Sequence, residues 1–536
     1  MRFLPVNLDS LLVELDDLSQ TLALLASLQA EPIPGVGDIV PAARTLLVSF
    51  RPAAIPRDEL IARIGSRSLD ARIERPGERI EIPVAYDGED LAEVARLLDI
   101  SPEEVVRRHT GSDYNVAFTG FAPGFAYLSG GHPSFDLPRR ATPRTRIPAG
   151  AVGLAGRFSG VYPQASPGGW QIIGVTETPM WDLSRERPAL LQPGQRVRFV
   201  DAGRRGKHIA VPAALARDGG HRPSVAAPAD GAAALEVRQG GLLALFQDLG
   251  RHGQAGQGVS VSGAMDRASL RAANRLVGNE ADAACLEIVL GGFQLVSRGD
   301  AVVAVTGAEG PLELVSAAGS RWPVARHMAL ALADGDSLVL GEPRAGIRSY
   351  LAVRGGFDVA PVLGSRATDT LAHIGPPPVV AGDLLPVRAA TRGAVVGSPE
   401  TAPGDLPRPG EIVTLDVVMG PRTDWFTPEA VAHLCRQPWT VTPQSNRVGV
   451  RLAGDRPLVR TAATEGAELP SEGTALGALQ VPPSGQPVLF MADHPLTGGY
   501  PVIASVACHH LDRAGQLPVG SRIRFRPIAD FEAVPR

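Results

Sequence analysis

The chain has 536 residues, more than one hydrophobic core usually organises, so length alone favours about three or four domains. Hydrophobic residues make up 44% and charged residues 20%, which excludes a largely disordered chain. With 52 basic against 56 acidic residues and a net charge of −4, nothing marks a nucleic-acid partner, and no apolar run approaches the roughly 20 residues of a membrane helix. The N-terminus meets acids where a signal peptide would place its apolar core, so a cytoplasmic location is expected. Cys285, Cys435 and Cys508 are odd in number and far apart, which gives neither a disulfide framework nor a paired ligand spacing; no metal site is expected. Lys207 is the one lysine, which removes a P-loop lysine, a Schiff base and a biotin-attachment site from this chain.

In chain order, residues 1–80 read as a small α/β unit. LDSLLVELDDLSQTLALLASLQAEP carries leucines at helical spacing, and TLLVSF then reads as a strand. From 81 to 201 two short helices, Leu91–Leu98 and Ser101–His109, precede strands and turns; the serine caps the second helix and Pro102 occupies its first turn. Residues 202–234 are rich in Ala, Pro and Gly without periodicity and read as a linker. Strands resume over 235–400 and 401–536, with one clear helix at Arg267–Val277 capped by Asp266. Echoes run between the parts: QPGQRVRF with LPVGSRIRF, SPGGWQIIG with LTGGYPVIA, and Tyr114, Gly120, Phe121 and Ser129 with Tyr350, Gly356, Phe357 and Ser365. The fold class expected is mainly β with a small α/β N-terminal unit, and a β-barrel used more than once.

Candidate chemistry clusters in five motifs. VAFTGFAPGFAYLSG sets Gly124 beside Phe121 and Tyr127, backbone able to approach a ligand between aromatic walls. LPRRATPRTRIPAG holds Arg139 and Arg144 on a proline-stiffened loop suited to an anion. SPGGW offers Ser166 and the amides of Gly168 and Gly169, with Trp170 as a wall. FQDLGRH brings Gln247, Asp248 and Arg251 onto one loop; its neighbour GQAGQG supports neither a Rossmann nor a P-loop nucleotide site. Near the C-terminus Asn446, Arg447, Glu472, Gln480, Asp493, His494, Thr497 and Tyr500 lie among glycines and prolines. Asp493 and His494 are an acid/base candidate, although neighbours on a strand would face opposite ways.

On GFAPGFAYL, PRRATPRTRIPAG and YPQASPGGWQIIG, residues 1 to about 201 resemble allophanate hydrolase subunit 1, a family also called KipI or the 5-oxoprolinase B subunit. On FQDLGRHGQAGQGVSVSGAMDR, AANRLVGN, SNRVGVRL, SEGTALGALQ and DHPLTGGYP, residues from about 235 resemble allophanate hydrolase subunit 2, the family of KipA and the 5-oxoprolinase C subunit. The resemblance implies tandem cyclophilin-like β-barrel domains and a component of ATP-dependent cleavage of 5-oxoproline to glutamate, with magnesium as the nucleotide's counter-ion. It also implies a small-molecule substrate, a separate partner similar to the 5-oxoprolinase A subunit, no covalent biotin on this chain, and room for a homo-oligomer. Within that frame, Arg139, Arg144 and the SPGGW amides are expected to meet phosphates. Arg447, Asn446, Gln480 and Thr497 are expected to hold the substrate, and Asp493 or His494 to manage protons. Two other readings are a biotin-dependent carboxyltransferase of the urea carboxylase type and a KipI/KipA-like regulator of a histidine kinase.

Overall fold

The first residues pair rather than coil. Arg2–Asn7 and Ser10–Glu14 form an antiparallel hairpin, and Val36–Pro41 and Thr45–Phe50 extend it into a sheet. Leucine spacing suggested a helix through this stretch. Instead Leu11, Leu12 and Val13 are all buried, the pattern of a strand covered on both faces. The helix begins only at Leu18 and runs to Ala30, after Asp17 accepts a hydrogen bond from the Gln20 amide at 2.9 Å. The computed structural model describes residues 1–69, 79–140, 142, 144–203 and 233–535. Most of the expected linker, with Lys207, therefore lies outside the described residues. The last strand, Val534–Pro535, pairs with Arg2 and Phe3, so the two chain ends share one sheet. Among the described residues no helix is long and apolar enough to cross a membrane.

Two barrels of the same strand order dominate the rest. In the first half the order is Gln171–Val175, Ala151–Ala155, Phe158–Val161, Ala126–Ser129, Tyr114–Thr119, Arg196–Asp201 and Ile80–Val84, and a bridge between Ala85 and Val175 joins the ends. Near the C-terminus a closed barrel runs Ile412–Met419, Val502–Val506, Ala478–Gln480, Val488–Phe490, Gly449–Ala453, Trp439–Val441 and Arg522–Ala529. The sequence echoes map onto this likeness. RVRF and RIRF are the closing strands, each parallel to the first strand of its barrel, and WQIIG and YPVIA enter equivalent strands. Helices follow the first strand in both: Leu91–Leu97 and Pro102–Thr110 in one, Pro428–Arg436 in the other. The Ser101 hydroxyl accepts from the Glu104 amide at 3.2 Å, the cap its position calls for.

Between the barrels, residues 234–386 form two sheets that share one core, with Leu235, Val237 and Leu295 on one sheet meeting Phe246, Leu286 and Leu351 on the other. The helix Arg267–Val277 packs here. Asp266 accepts from the Ser269 amide at 2.9 Å, and Gly278 ends the helix at φ 73°, a left-handed stop that favours glycine.

Candidate functional site

Loops from the two halves meet at the GFAPGF turn. The Phe121 amide donates to Thr497 Oγ1 at 3.1 Å, and a β-carbon at Gly120 would collide with that threonine. Thr119 Oγ1 donates to the Ala255 carbonyl at 3.1 Å, and the Gly124 amide donates to the Gln257 carbonyl at 2.9 Å. A β-carbon at Gly258 would fall 2.7 Å from the Ala122 carbonyl oxygen. Glycine is thus required on both sides because the backbones approach within side-chain thickness. Behind the turn stands an aromatic wall: Phe121 edges against Phe125 at 5.3 Å between centroids, and Phe125 against Trp170 at 5.3 Å. Tyr127 stacks on Phe118 at 4.3 Å.

Polar groups gather beside this contact. Arg139 reaches across to Ser471 Oγ at 3.4 Å and makes no ion pair with any described residue. A β-carbon on Gly499 would lie 3.0 Å from its Nη1, and one on Gly498 would lie 3.8 Å from the Gln480 amide. Gln480 is 8% exposed, and its side-chain amide makes no hydrogen bond among the described residues. Arg139 and Gln480 therefore flank Gly498 and Gly499, with Thr497 and the half-exposed Tyr500 at either end. Arg139, without a carboxylate partner among the described residues, Gln480 and the aromatic wall thus gather around one contact between the halves.

Other expected residues are committed elsewhere. Arg144 is not available to a phosphate: it forks onto Asp90 through Nη1 and Nη2, both at 2.8 Å, and reaches Glu89 at 2.9 Å. Burial opposes ionisation of Asp90, but Arg144 and the Ile172 amide hold its carboxyl below the usual range. Gly168 pairs with Arg144 in a short ribbon, and the Gly169 carbonyl accepts from the Arg140 amide at 2.8 Å. The hydroxyl of Ser166 is buried without a partner among the described residues. Arg144 and Gly168 are therefore engaged within this ribbon, while Arg139 lies apart from it beside Gly499.

Arg447 and Asp493 likewise do not face a substrate. Arg447 is 2% exposed, with Nε 3.0 Å and Nη2 2.9 Å from the Asp493 carboxylate and Nη1 2.6 Å from Glu287. Ser262 and Thr370 also donate to Asp493. Burial penalises both charges, yet each holds the other ionised, raising the arginine and lowering the carboxyl. Gln247, Asp248 and Arg251 join the same interior: Gln247 donates to the Thr368 carbonyl, Asp248 accepts from Ser365, and Arg251 donates to the Ala367 carbonyl. Burial and the charge of Asp493 push nearby Asp369 up to about 6. This network fastens the two-sheet unit to the second barrel.

Glu472 is clamped by Arg422. His494 is buried with both ring nitrogens facing carbonyls, of Met491 at 2.9 Å and Thr474 at 3.2 Å; Asp493 and His494 sit in a turn rather than a strand. Asn446 accepts from the amides of Val448 and Gly449 and shapes its own turn. His509 and His510 gather around Asp416, but Arg526 already holds that carboxylate at 2.6 Å and the His510 Nδ1 lone pair takes the Asp416 amide at 2.9 Å. Sequence reasoning missed Asp90, Arg422 and Glu287, whose partners lie more than 40 residues away, and Gln257, whose amide oxygen accepts from Ala189.

Comparison with known proteins covers both halves. Residues 1–191 match the family described as carboxyltransferase domain, subdomain C and D, and residues 257–527 match carboxyltransferase domain, subdomain A and B. The chain is 37% identical to the C subunit of Escherichia coli 5-oxoprolinase, over 54% of this chain and 90% of that protein. It is 36% identical to the B subunit of Bacillus subtilis 5-oxoprolinase, over 35% of this chain and 84% of that one. A crystal structure of TTHA0988 superposes with a TM-score of 0.80 at 35% identity, covering 96% of this chain and 99% of the other. With the repeated barrels and the matches in both halves, the chain belongs to the carboxyltransferase-domain family, carrying subdomains C and D and subdomains A and B in one polypeptide.

Proposed function

We propose that this chain is the combined B and C component of a 5-oxoprolinase, binding 5-oxoproline where its halves meet and delivering it for hydrolysis to L-glutamate with a separate partner of the A-subunit type. The observation that supports this most is the Phe121–Thr497 contact, with Arg139 from one half lacking a carboxylate partner and Gln480 from the other lacking a side-chain hydrogen bond among the described residues. The substrate chemistry fits: 5-oxoproline carries one carboxylate, which suits Arg139, and one cyclic amide, whose N–H and C=O match the acceptor and donor of Gln480. Phe121 covers the ring's apolar face. Hydrolysis breaks the lactam C–N bond and adds one water across it. Because Arg144 is spent on Asp90 and Glu89, and Arg139 is assigned here to the substrate carboxylate, the reaction's ATP dependence is assigned to the complex with the partner.

The experiment mixes the full chain with an A-subunit homologue, ATP, magnesium and 5-oxoproline, and follows glutamate and phosphate. Both accumulate only when all components are present. Glutamate absent at every protein ratio removes the proposal. The second reading, carboxyl transfer, is favoured by the family's own description; it requires dependence on carboxybiotin supplied in trans, which the same mixture can test.

A further inference from the structure

Away from the contact between halves, the two-sheet unit contains a cavity of about 360 Å³ lined by Gly307–Pro311, Val324–His327, Arg344, Glu400 and Ala402. A second, of about 310 Å³, shares His327 and Glu400 with it and runs toward Asp266 and His510. Charge in the first is uncompensated. Arg326 is largely buried and spends its hydrogen bonds on the carbonyls of Gly310 and Pro311 and on Ser349 Oγ; no described carboxylate pairs with it. Arg344 has no ion pair with a described residue either. The two carboxylates on the wall face other cations, Glu309 pairing with Arg408 at 2.5 Å and Glu400 with Arg275 at 2.8 Å.

His327 closes the arrangement. It is 4% exposed, yet its Nε2 has no hydrogen-bond partner among the described residues. Its backbone sits at φ 58°, a left-handed conformation costly for a non-glycine residue. Burial of Arg326 without a counter-charge lowers its guanidinium to about 10. A cation buried without a counter-charge and a buried imidazole nitrogen without a partner are expensive unless something completes them.

We propose that this cavity is a binding site for a small organic carboxylate, seated between Arg326, Arg344 and the His327 ring. Two guanidiniums set its charge. The apolar wall of Pro311, Val324 and Ala402 favours a carbon chain over a bare inorganic anion. Neither the site at Thr497 nor the proposed lactam chemistry is required for it.

Calorimetric titration of the full chain with glutarate, L-glutamate and inorganic phosphate tests it. One equivalent of carboxylate is expected to bind saturably, with phosphate weaker by about tenfold. Arg344→Ala, on an exposed side chain whose loss leaves the fold intact, is expected to weaken carboxylate binding about tenfold, and Arg326→Gln to abolish it. In the Arg139→Ala background any carboxylate held between the halves is lost, so the equivalent that persists there belongs to this site. Absence of saturable binding by both carboxylates, phosphate binding as tightly as they do, or an unchanged isotherm in Arg344→Ala overturns the proposal.

Discussion

At the scale of single residues, the decisive distinction is between charges already paired and charges left open. Arg447 is the centre of a dry ion cluster, so Arg447→Ala removes the cation from the buried Asp493 and leaves Glu287 only the more distant Arg348 at 3.5 Å, a loss of about 3–5 kcal/mol. We expect that variant to unfold at clearly lower denaturant, whereas Arg139→Ala keeps the wild-type midpoint; equal midpoints for Arg447→Ala and wild type would refute the structural role. His109 gives a second test. It is fully buried, with its ring nitrogens on Tyr86 Oη and Ser159 Oγ, and burial pushes its imidazole down to about 3. The folded state keeps this ring neutral while the unfolded chain takes up a proton near pH 6.5. Its contribution is therefore complete above that pH and is lost as the pH falls toward 3, at up to about 1.4 kcal/mol per unit. Unfolding of His109→Gln measured between pH 7 and 5 should show a shallower slope than wild type; an identical slope sinks the assignment.

At the scale of elements, glycines and caps explain what could be read early and what could not. The Asp266 and Ser101 caps are local signals, each complete within four residues, and both helices form as their sequences suggest. The strand Ser10–Glu14 defeats the periodicity because leucines at helical spacing also fill a strand that is buried on both faces. The motifs around Phe121 and Thr497 were legible as motifs, but their partnership spans 376 residues and no spacing rule reaches that far. For the same reason Arg144 read as an anion binder: its intramolecular anion, Asp90, sits 54 residues upstream. Gly120 carries the element-scale prediction. Gly120→Ala places a methyl on Thr497 and must push the two loops apart, so limited proteolysis should cut between the halves faster and reconstituted turnover should fall; wild-type resistance and turnover together would show that the contact has slack.

At the scale of the whole molecule, two barrels with one strand order carry a charge-swapped clasp. After the first strand of each, the backbone amide of Asp90 bonds to the Ile172 carbonyl and that of Arg422 to the Val502 carbonyl, both at 2.9 Å. Each side chain then grips the ribbon beside its double glycine, Asp90 through Arg144 and Arg422 through Glu472. The clasp fixes both Gly-Gly turns, and the one at Gly498 and Gly499 faces Arg139 of the opposite half. The chain ends sharing a sheet, with Asn7 Nδ2 donating to the Val506 carbonyl at 2.8 Å, hold the N-terminal unit against the second barrel. In the proposed function, substrate binding is divided across this junction. Its most direct measurement is the KM for 5-oxoproline of the chain reconstituted with an A-subunit homologue, compared among wild type, Arg139→Ala and Gln480→Leu. A rise of about tenfold or more is predicted for each variant, with folding intact. An unchanged KM in either variant, with turnover preserved, would contradict it.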